Sequence, residues 1–253
     1  MELIVLGHII GDFYLQTKFI AEKKKEHLGF LILHSFLYCI PVIMAVIVIG
    51  NNKIESYLVF SILLFLTHLA VDKIKSMLDK RGRYAGIIFL GDQVIHLLLL
   101  VILLRILGIN IQDTSWVYKY LEKIEIVAIT AILVCWKPAA IFVSIIFESI
   151  FLSKTNWKES SKKEDKNKVQ KNKNNEPKEN IRVGYWIGVL EREIILVLGL
   201  LGQYGAIGFV LTAKSLARFK QLEEQEFAEK YLIGTLLSAF IAFCCLYLCS
   251  RYK

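Results

Sequence analysis

Apolar residues occur along the chain in long runs, and short polar or charged segments separate these runs. Several runs reach the roughly 20 apolar residues that a helix needs to cross a bilayer. The pattern predicts an all-α fold, a polytopic integral membrane bundle of about seven or eight helices. The predicted helices lie at about 2–20, 29–49, 55–75, 84–107, 124–152, 184–201, 203–220 and 229–250.

Two prolines fall inside these helices, and the second one leaves the helix count open. Pro41 and Pro138 each remove a backbone hydrogen bond, so both are expected to kink their helices. Lys137 places a charge in the middle of the fifth apolar run. Residues 124–152 therefore form either one helix or two, with 138–152 as a separate amphipathic or re-entrant piece.

A polar segment divides the chain into two membrane units. Residues 154–182 are almost all Lys, Asn, Glu and Ser, a composition that buries too little apolar surface to fold. We therefore expect a disordered, charged linker between a five-helix unit at 1–153 and a three-helix unit at 183–253. A docking role for the linker remains an alternative.

The charge of the chain is explained by membrane orientation. Of the 253 residues, 55% are hydrophobic, and the formal net charge is +8. With the N-terminus outside, most lysines and arginines fall in inner segments, including the linker, as the positive-inside rule requires. The basic residues therefore indicate a cytoplasmic linker and do not indicate binding to nucleic acid. The five cysteines lack the spacing of a zinc finger.

Ionisable and polar residues recur inside the apolar runs, where they are costly and often functional. In the first run His8, Asp12 and Gln16 are spaced i, i+4, i+8, which aligns them on one helix face. Three further runs carry similar residues, namely His34, His68 with Asp72, and Asp92 with His96. Most of these histidines and aspartates lie about 8–18 Å from the predicted cytoplasmic helix ends. The sequence therefore predicts one polar layer.

Three kinds of chemistry suit such a layer. Imidazole and carboxylate groups together bind a divalent ion such as zinc, manganese or iron, which can activate water for hydrolysis. The same groups without a metal can relay protons or conduct cations. They can also serve as structural hydrogen bonds between helices. His27 lies in a basic loop and is excluded as a ligand.

A second polar set lies in the C-terminal unit. Glu191 lies within the sixth predicted helix, and Lys214 and Arg218 share one face of the seventh. They form either a structural ion pair between the helices or a cationic site for a phosphate or other anionic headgroup.

These motifs resemble a known family. Gly-His-x-x-Gly-Asp-Phe-x-Leu-Gln at 7–16, His34, and the His/Asp pairs at 68/72 and 92/96 are similar to those of an uncharacterised bacterial membrane-protein family, domain of unknown function number 3307. The resemblance implies a bacterial cytoplasmic membrane protein but no reaction. A fainter likeness is to membrane-bound metal-dependent hydrolases, although the Asp-x-Asp-His run is absent.

We expect a metal-dependent hydrolase that acts on a lipid or lipid-linked phosphate. The predicted metal ligands are His8, Asp12, His34, His68, Asp92 and His96. The predicted catalytic residues are Asp12, Asp72 and Glu191. The predicted substrate contacts are Gln16, Lys214 and Arg218. The alternatives are a proton- or metal-ion-coupled transporter or channel, and a membrane subunit of a larger complex.

Overall fold

The structure, a computed structural model, describes residues 1–78, 84–111, 117–160 and 178–252, without the side chains of 151–160 and 178–183. The chain forms two compact units, which consist mainly of Met1–Leu133 and Val134–Arg251. Residues 161–177, the middle of the predicted linker, lie outside the described residues. The division of the chain at that linker stays a prediction.

The N-terminal unit is built from helices. They are α1 (Glu2–Ile9), a π-helical turn (Ile10–Tyr14), α2 (Lys18–Lys23), α3 (Leu28–Ile49), α4 (Ile54–Leu78), α5 (Ala85–Ile106), α6 (Val117–Tyr120) and the start of α7 (Lys123–Ser160). Within the described residues, the only β-type pairing is an isolated bridge between Gly50 and Ile111. The all-α fold class is therefore confirmed.

The first predicted helix, 2–20, is shorter in the structure and ends in a π-helical turn. The Leu15 amide donates to the Ile10 carbonyl at 3.0 Å, an i to i+5 bond that widens the helix. The chain leaves the helix at Leu15, and Thr17 caps α2 by accepting a 3.3 Å bond from the Ile20 amide. The expected stripe therefore ends at Asp12, because Gln16 lies between the two helices.

Two glycines let the N-terminal helix approach α3 at backbone distance. A Cβ atom on Gly7 would lie 2.8 Å from the Pro41 carbonyl oxygen, and one on Gly11 would lie 2.7 Å from that of Tyr38. On the same two helices, buried Ile4, Val42 and Val46 belong to the apolar core of the unit. The close approach brings His8 and Asp12 against the face of α3 that carries His34.

The C-terminal unit consists of the remainder of α7, then α8 (Lys178–Leu200), α9 (Tyr204–Ala217), a 3-10 turn (Phe219–Glu223) and α10 (Gln225–Ser250). Helix α7 continues from Lys123 through Pro138 to Ser160. The alternative of a separate piece at 138–152 is therefore not supported. Pro41 likewise lies within the continuous α3.

Five of the described helices are long and apolar enough to cross a membrane. They are Leu28–Ile49, Ile54–Leu78, Ala85–Ile106, Lys123–Ile150 and Gln225–Ser250. Large apolar side chains such as Ile62, Ile87 and Leu236 are exposed on these helices, as expected for surfaces that face lipid. The chain is therefore a multi-pass membrane protein, whereas the predicted count of seven or eight spans is not confirmed.

Substitution of Gly11 tests the close helix contact. Gly11→Ala is expected to destabilise the protein by about 1–3 kcal/mol, because the new methyl group must displace the α3 backbone. Gly91→Ala is the control, since no atom lies within 4 Å of its added Cβ. Thermal unfolding of the purified protein in detergent measures both. Equal stability of the two variants would contradict the contact.

Candidate metal centre

Seven buried histidines and aspartates of the N-terminal unit come from four helical segments. Each is at most 8% exposed, and they are His8, Asp12, His34, His68, Asp72, Asp92 and His96. His8 and Asp12 lie on the N-terminal helix and its π-helical turn, and His34 lies on α3. The predicted gathering of these residues into one layer agrees with this burial and with the contacts described below.

The closest approach joins four of these residues, which we call the His/Asp centre: Asp12, His34, His68 and Asp72. The Nε2 atoms of His34 and His68 lie 3.3 Å apart. His34 Nε2 also lies 3.3 Å from Asp12 Oδ1 and 3.2 Å from Asp72 Oδ2. An Nε2 atom carries at most one proton, so hydrogen bonding alone cannot satisfy all three contacts of His34.

The spacing of these atoms fits a metal ion. A tetrahedral ion with bonds of about 2.0–2.1 Å holds its donor atoms about 3.3–3.4 Å apart. Three of the measured separations lie at 3.2–3.3 Å, while His68 Nε2 and Asp72 Oδ2 are 3.9 Å apart. Asp12, His34 and His68 together offer ligand atoms within 4.8 Å of one another.

A second group shares His68 and Asp72 with the His/Asp centre. His68, Asp72 and His96 also offer one ligand atom each within 4.8 Å of one another. Asp72 Oδ1, His68 Nδ1 and His96 Nε2 are buried and have no hydrogen-bond partner among the described residues. Asp72 and His68 therefore each have one atom in the centre and one buried atom without a hydrogen-bond partner among the described residues.

Two predicted ligands lie beside the centre and bond to other groups. His8 uses both ring nitrogens, Nδ1 at 3.1 Å from the Tyr38 hydroxyl and Nε2 at 3.2 Å from Gln93 Oε1. Asp92 Oδ2 accepts a 2.6 Å bond from Lys75. Neither residue belongs to the groups with ligand spacing, and their assignment as ligands stays a prediction.

Two lysines bind the buried carboxylates. Lys24 Nζ donates to Asp72 Oδ2 at 2.6 Å and to Gln16 Oε1 at 3.0 Å. The Lys75 ammonium makes the matching contact with Asp92. The side chains of Lys24 and Lys75 are 13% and 27% exposed, whereas those of Asp72 and Asp92 are nearly inaccessible. The lysines therefore lie between the carboxylates and the surface.

Four contact residues were missed from the sequence: Tyr38, Gln93, Lys24 and Lys75. Gln93 follows Asp92 inside an apolar run, and Tyr38 lies four residues after His34, so both had a positional signal. The Tyr38 ring stacks on His68 with centroids 3.7 Å apart. In the sequence, the positive-inside rule explains both lysines, and nothing there pairs them with a carboxylate.

The C-terminal polar residues form a separate set within their own unit. Lys214 donates to the buried Glu191 carboxylate and, at 3.0 Å, to the Thr235 hydroxyl. Arg218 lies over the Phe227 ring at 5.9 Å and contacts Gln221 Oε1 at 3.4 Å. The sequence predicts an ion pair between its sixth and seventh helices as one alternative. The structure contains this pair, between Glu191 on α8 and Lys214 on α9.

Gln93 joins several members of the layer. Its Nε2 donates to Asp12 Oδ2 at 2.8 Å and to Asp92 Oδ2 at 3.1 Å, and its Oε1 faces His8. Gln93→Met keeps the length of the side chain but removes these bonds. We expect a loss of about 1–3 kcal/mol in unfolding free energy, because buried polar groups lose a partner.

The control for this prediction is Gln203→Met, at an exposed position before α9. Denaturant unfolding in detergent, followed by circular dichroism, compares both variants with the unmodified chain. A Gln93→Met variant as stable as the control would show that the side chain does not support the layer.

One comparison with known proteins finds a match, and the match covers the unit that contains the His/Asp centre. No curated protein and no solved structure matches the chain. A family model matches residues 1–127, a range that includes every residue of the His/Asp centre and both lysines. The match confirms the family resemblance of the sequence motifs. The chain belongs to the family described as "Protein of unknown function (DUF3307)".

Proposed function

We propose that the protein is a membrane-embedded, metal-dependent hydrolase that acts on a lipid or lipid-linked phosphate. The observation that carries the proposal is the convergence of His34 Nε2, His68 Nε2, Asp12 Oδ1 and Asp72 Oδ2 at 3.2–3.9 Å. Two imidazole nitrogens and two carboxylate oxygens are a donor set that suits zinc, manganese or iron.

The reaction follows from the chemistry of such a donor set. The four residues of the His/Asp centre would hold a divalent ion, which would supply Lewis acidity toward a phosphoester oxygen and would activate water as a nucleophile. Asp12 and Asp72 act as ligands in this scheme, and His96 supplies a further donor at the adjacent position. Burial of the donors among apolar helices excludes bulk water and strengthens each charge interaction.

In the proposal, the two lysines bind the anionic group of the substrate. Lys24 and Lys75 lie on the more exposed side of the buried carboxylates. Ammonium groups at that position attract a phosphate and donate hydrogen bonds to its oxygens. Gln16, predicted as a substrate contact, bonds to Lys24 and therefore orients it. Glu191 has no role in this scheme, since it pairs with Lys214 in the other unit.

The proposal also includes a location for the enzyme. In the proposal the protein lies in the bacterial cytoplasmic membrane, with the segment at 154–182 in the cytoplasm, as the excess of basic residues in the inner segments favours. A substrate that is itself a membrane lipid reaches a site within the helices without leaving the bilayer.

A second candidate function is a proton or cation relay. A chain of titratable side chains runs from Asp12 to His34 and on to His68. Groups that can donate and accept in sequence are what proton transfer requires.

Metal content tests the proposal directly. Protein purified in detergent, loaded with zinc or manganese and dialysed, is expected to retain at least one ion per chain by plasma mass spectrometry. His34→Ala and His68→Ala should each lose most of this metal, because each removes a donor from the centre.

The matched control is His27→Ala, since His27 is exposed before α3 and lies outside both ligand groups. Helix content by circular dichroism confirms that the variants fold. A metal content that is zero in the unmodified chain, or that falls equally in all three variants, would contradict the ligand assignment.

Turnover tests the role of the lysines. With phosphatidic acid in mixed micelles and a loaded metal, Lys75→Gln is expected to raise KM by about 10- to 100-fold, because a hydrogen bond to a charged group is lost. Lys73→Gln removes the same charge from an exposed position on α4 and should leave KM unchanged. Released inorganic phosphate is measured.

The same preparations separate the two candidate functions. Phosphate release that depends on His34 supports hydrolysis. Cation or proton flux into liposomes that is lost in Asp12→Asn, without any phosphate release, would replace hydrolysis with the relay.

A further inference from the structure

The C-terminal unit contains a pocket of its own, about 290 Å³ in volume. Three cationic side chains line it: Lys214, Arg218 and Lys230. No acidic residue is among its lining residues in the described part of the chain. We call this cavity the C-terminal pocket.

Lys214 and Arg218 are held in place by contacts that leave further donors available. Lys214 bonds to Glu191 and Thr235 and lies 5.2 Å from the Tyr231 ring. An ammonium group has three donors and a guanidinium has five, so these contacts do not exhaust Lys214 or Arg218. Lys230 and Glu226 form an ion pair at 2.9 Å. Both side chains are exposed to solvent, so the pair contributes little free energy.

A buried arginine adds positive charge behind the wall of the pocket. Arg192 is 2% exposed and donates to the Cys135 carbonyl at 2.6 Å and to the Ser238 hydroxyl at 3.1 Å. Its Nη2 atom has no hydrogen-bond partner among the described residues. Ser238 and Gly188 both line the pocket, and a Cβ on Gly188 would lie 3.4 Å from Arg192 Nη1.

Apart from Thr235 and Ser238, the rest of the lining is apolar side chains and glycine. Phe147, Phe227 and Tyr231 contribute aromatic surface. Gly188 and Gly234 add no side chain to the wall, and a Cβ on Gly234 would approach Phe147 to 2.9 Å. A pocket with cationic groups and an apolar aromatic surface matches a ligand that has a phosphate at one end and hydrocarbon at the other.

We propose that the C-terminal pocket binds the phosphate group of an anionic membrane lipid, with phosphatidic acid as its simplest form. Lys214, Arg218 and Lys230 donate to the phosphate oxygens, and Arg192 supplies background positive potential. Phe147 and Phe227 contact the glycerol and the start of the acyl chains. This site is formed within the C-terminal unit and does not depend on a metal in the His/Asp centre.

Native mass spectrometry of the full chain in detergent tests this proposal. Phosphatidic acid added at equal concentration to phosphatidylcholine is expected to give a one-lipid adduct at least tenfold more abundant. The double variant Arg218→Gln with Lys230→Gln should lose most of this preference, and it leaves the buried pair of Lys214 and Glu191 intact.

Lys220→Gln is the matched control, because it removes one charge from the same segment at an exposed position outside the pocket. Thermal unfolding shows whether each variant is folded. A preference that survives the double variant, or that Lys220→Gln reduces as strongly, overturns the proposal in favour of general charge attraction.

Two further arms identify the source of the phosphate and separate this site from the metal centre. Displacement of the lipid by millimolar inorganic phosphate would assign the pocket to the free anion, whereas a lipid that resists phosphate requires the apolar contacts. His34→Ala is expected to keep the lipid preference, and its loss there would place the lipid at the metal centre instead.

Discussion

The N-terminal unit depends on one constraint, namely that ionised carboxylates inside apolar helices must be neutralised. Asp72 and Asp92 each bind a lysine ammonium at 2.6 Å, and Asp12 bonds to Gln93 and faces His34. An unpaired charge in this environment would cost several kcal/mol. The helix contacts that bring these groups together therefore determine where α1, α3, α4 and α5 pack, and they also create the cluster of metal-type donors.

The residues of the layer could be predicted from the sequence because polar side chains are rare within apolar runs. His34 and His68 both belong to the predicted layer, and their Nε2 atoms lie 3.3 Å apart. Which of these residues have free ligand atoms could not be predicted. Spacing along the chain does not reveal that Tyr38 and Gln93 contact both ring nitrogens of His8. Lys24 was equally hidden, because it reaches Asp72 from the C-terminal end of α2, 48 positions earlier in the chain.

Backbone geometry explains two further differences between the predicted helices and those of the structure. A π-helical turn adds one residue to a turn without changing the apolar pattern, so the end of the first helix at Leu15 had no signal in hydropathy. The turn places Gln16 beyond the helix, where it reaches Lys24. By contrast, Pro138 was a visible helix breaker in the sequence, yet α7 continues through it, as membrane helices often do when neighbouring groups satisfy the freed backbone.

The two lysines that cover the carboxylates have a consequence for the charge of the site during metal loading. With neutral imidazoles, Asp12, Asp72 and Asp92 against Lys24 and Lys75 leave one net negative charge. In the proposed hydrolase, one divalent cation would reverse the sign to one net positive charge. A site with a net negative charge favours cations and one with a net positive charge favours phosphates, so the metal would precede the anionic substrate.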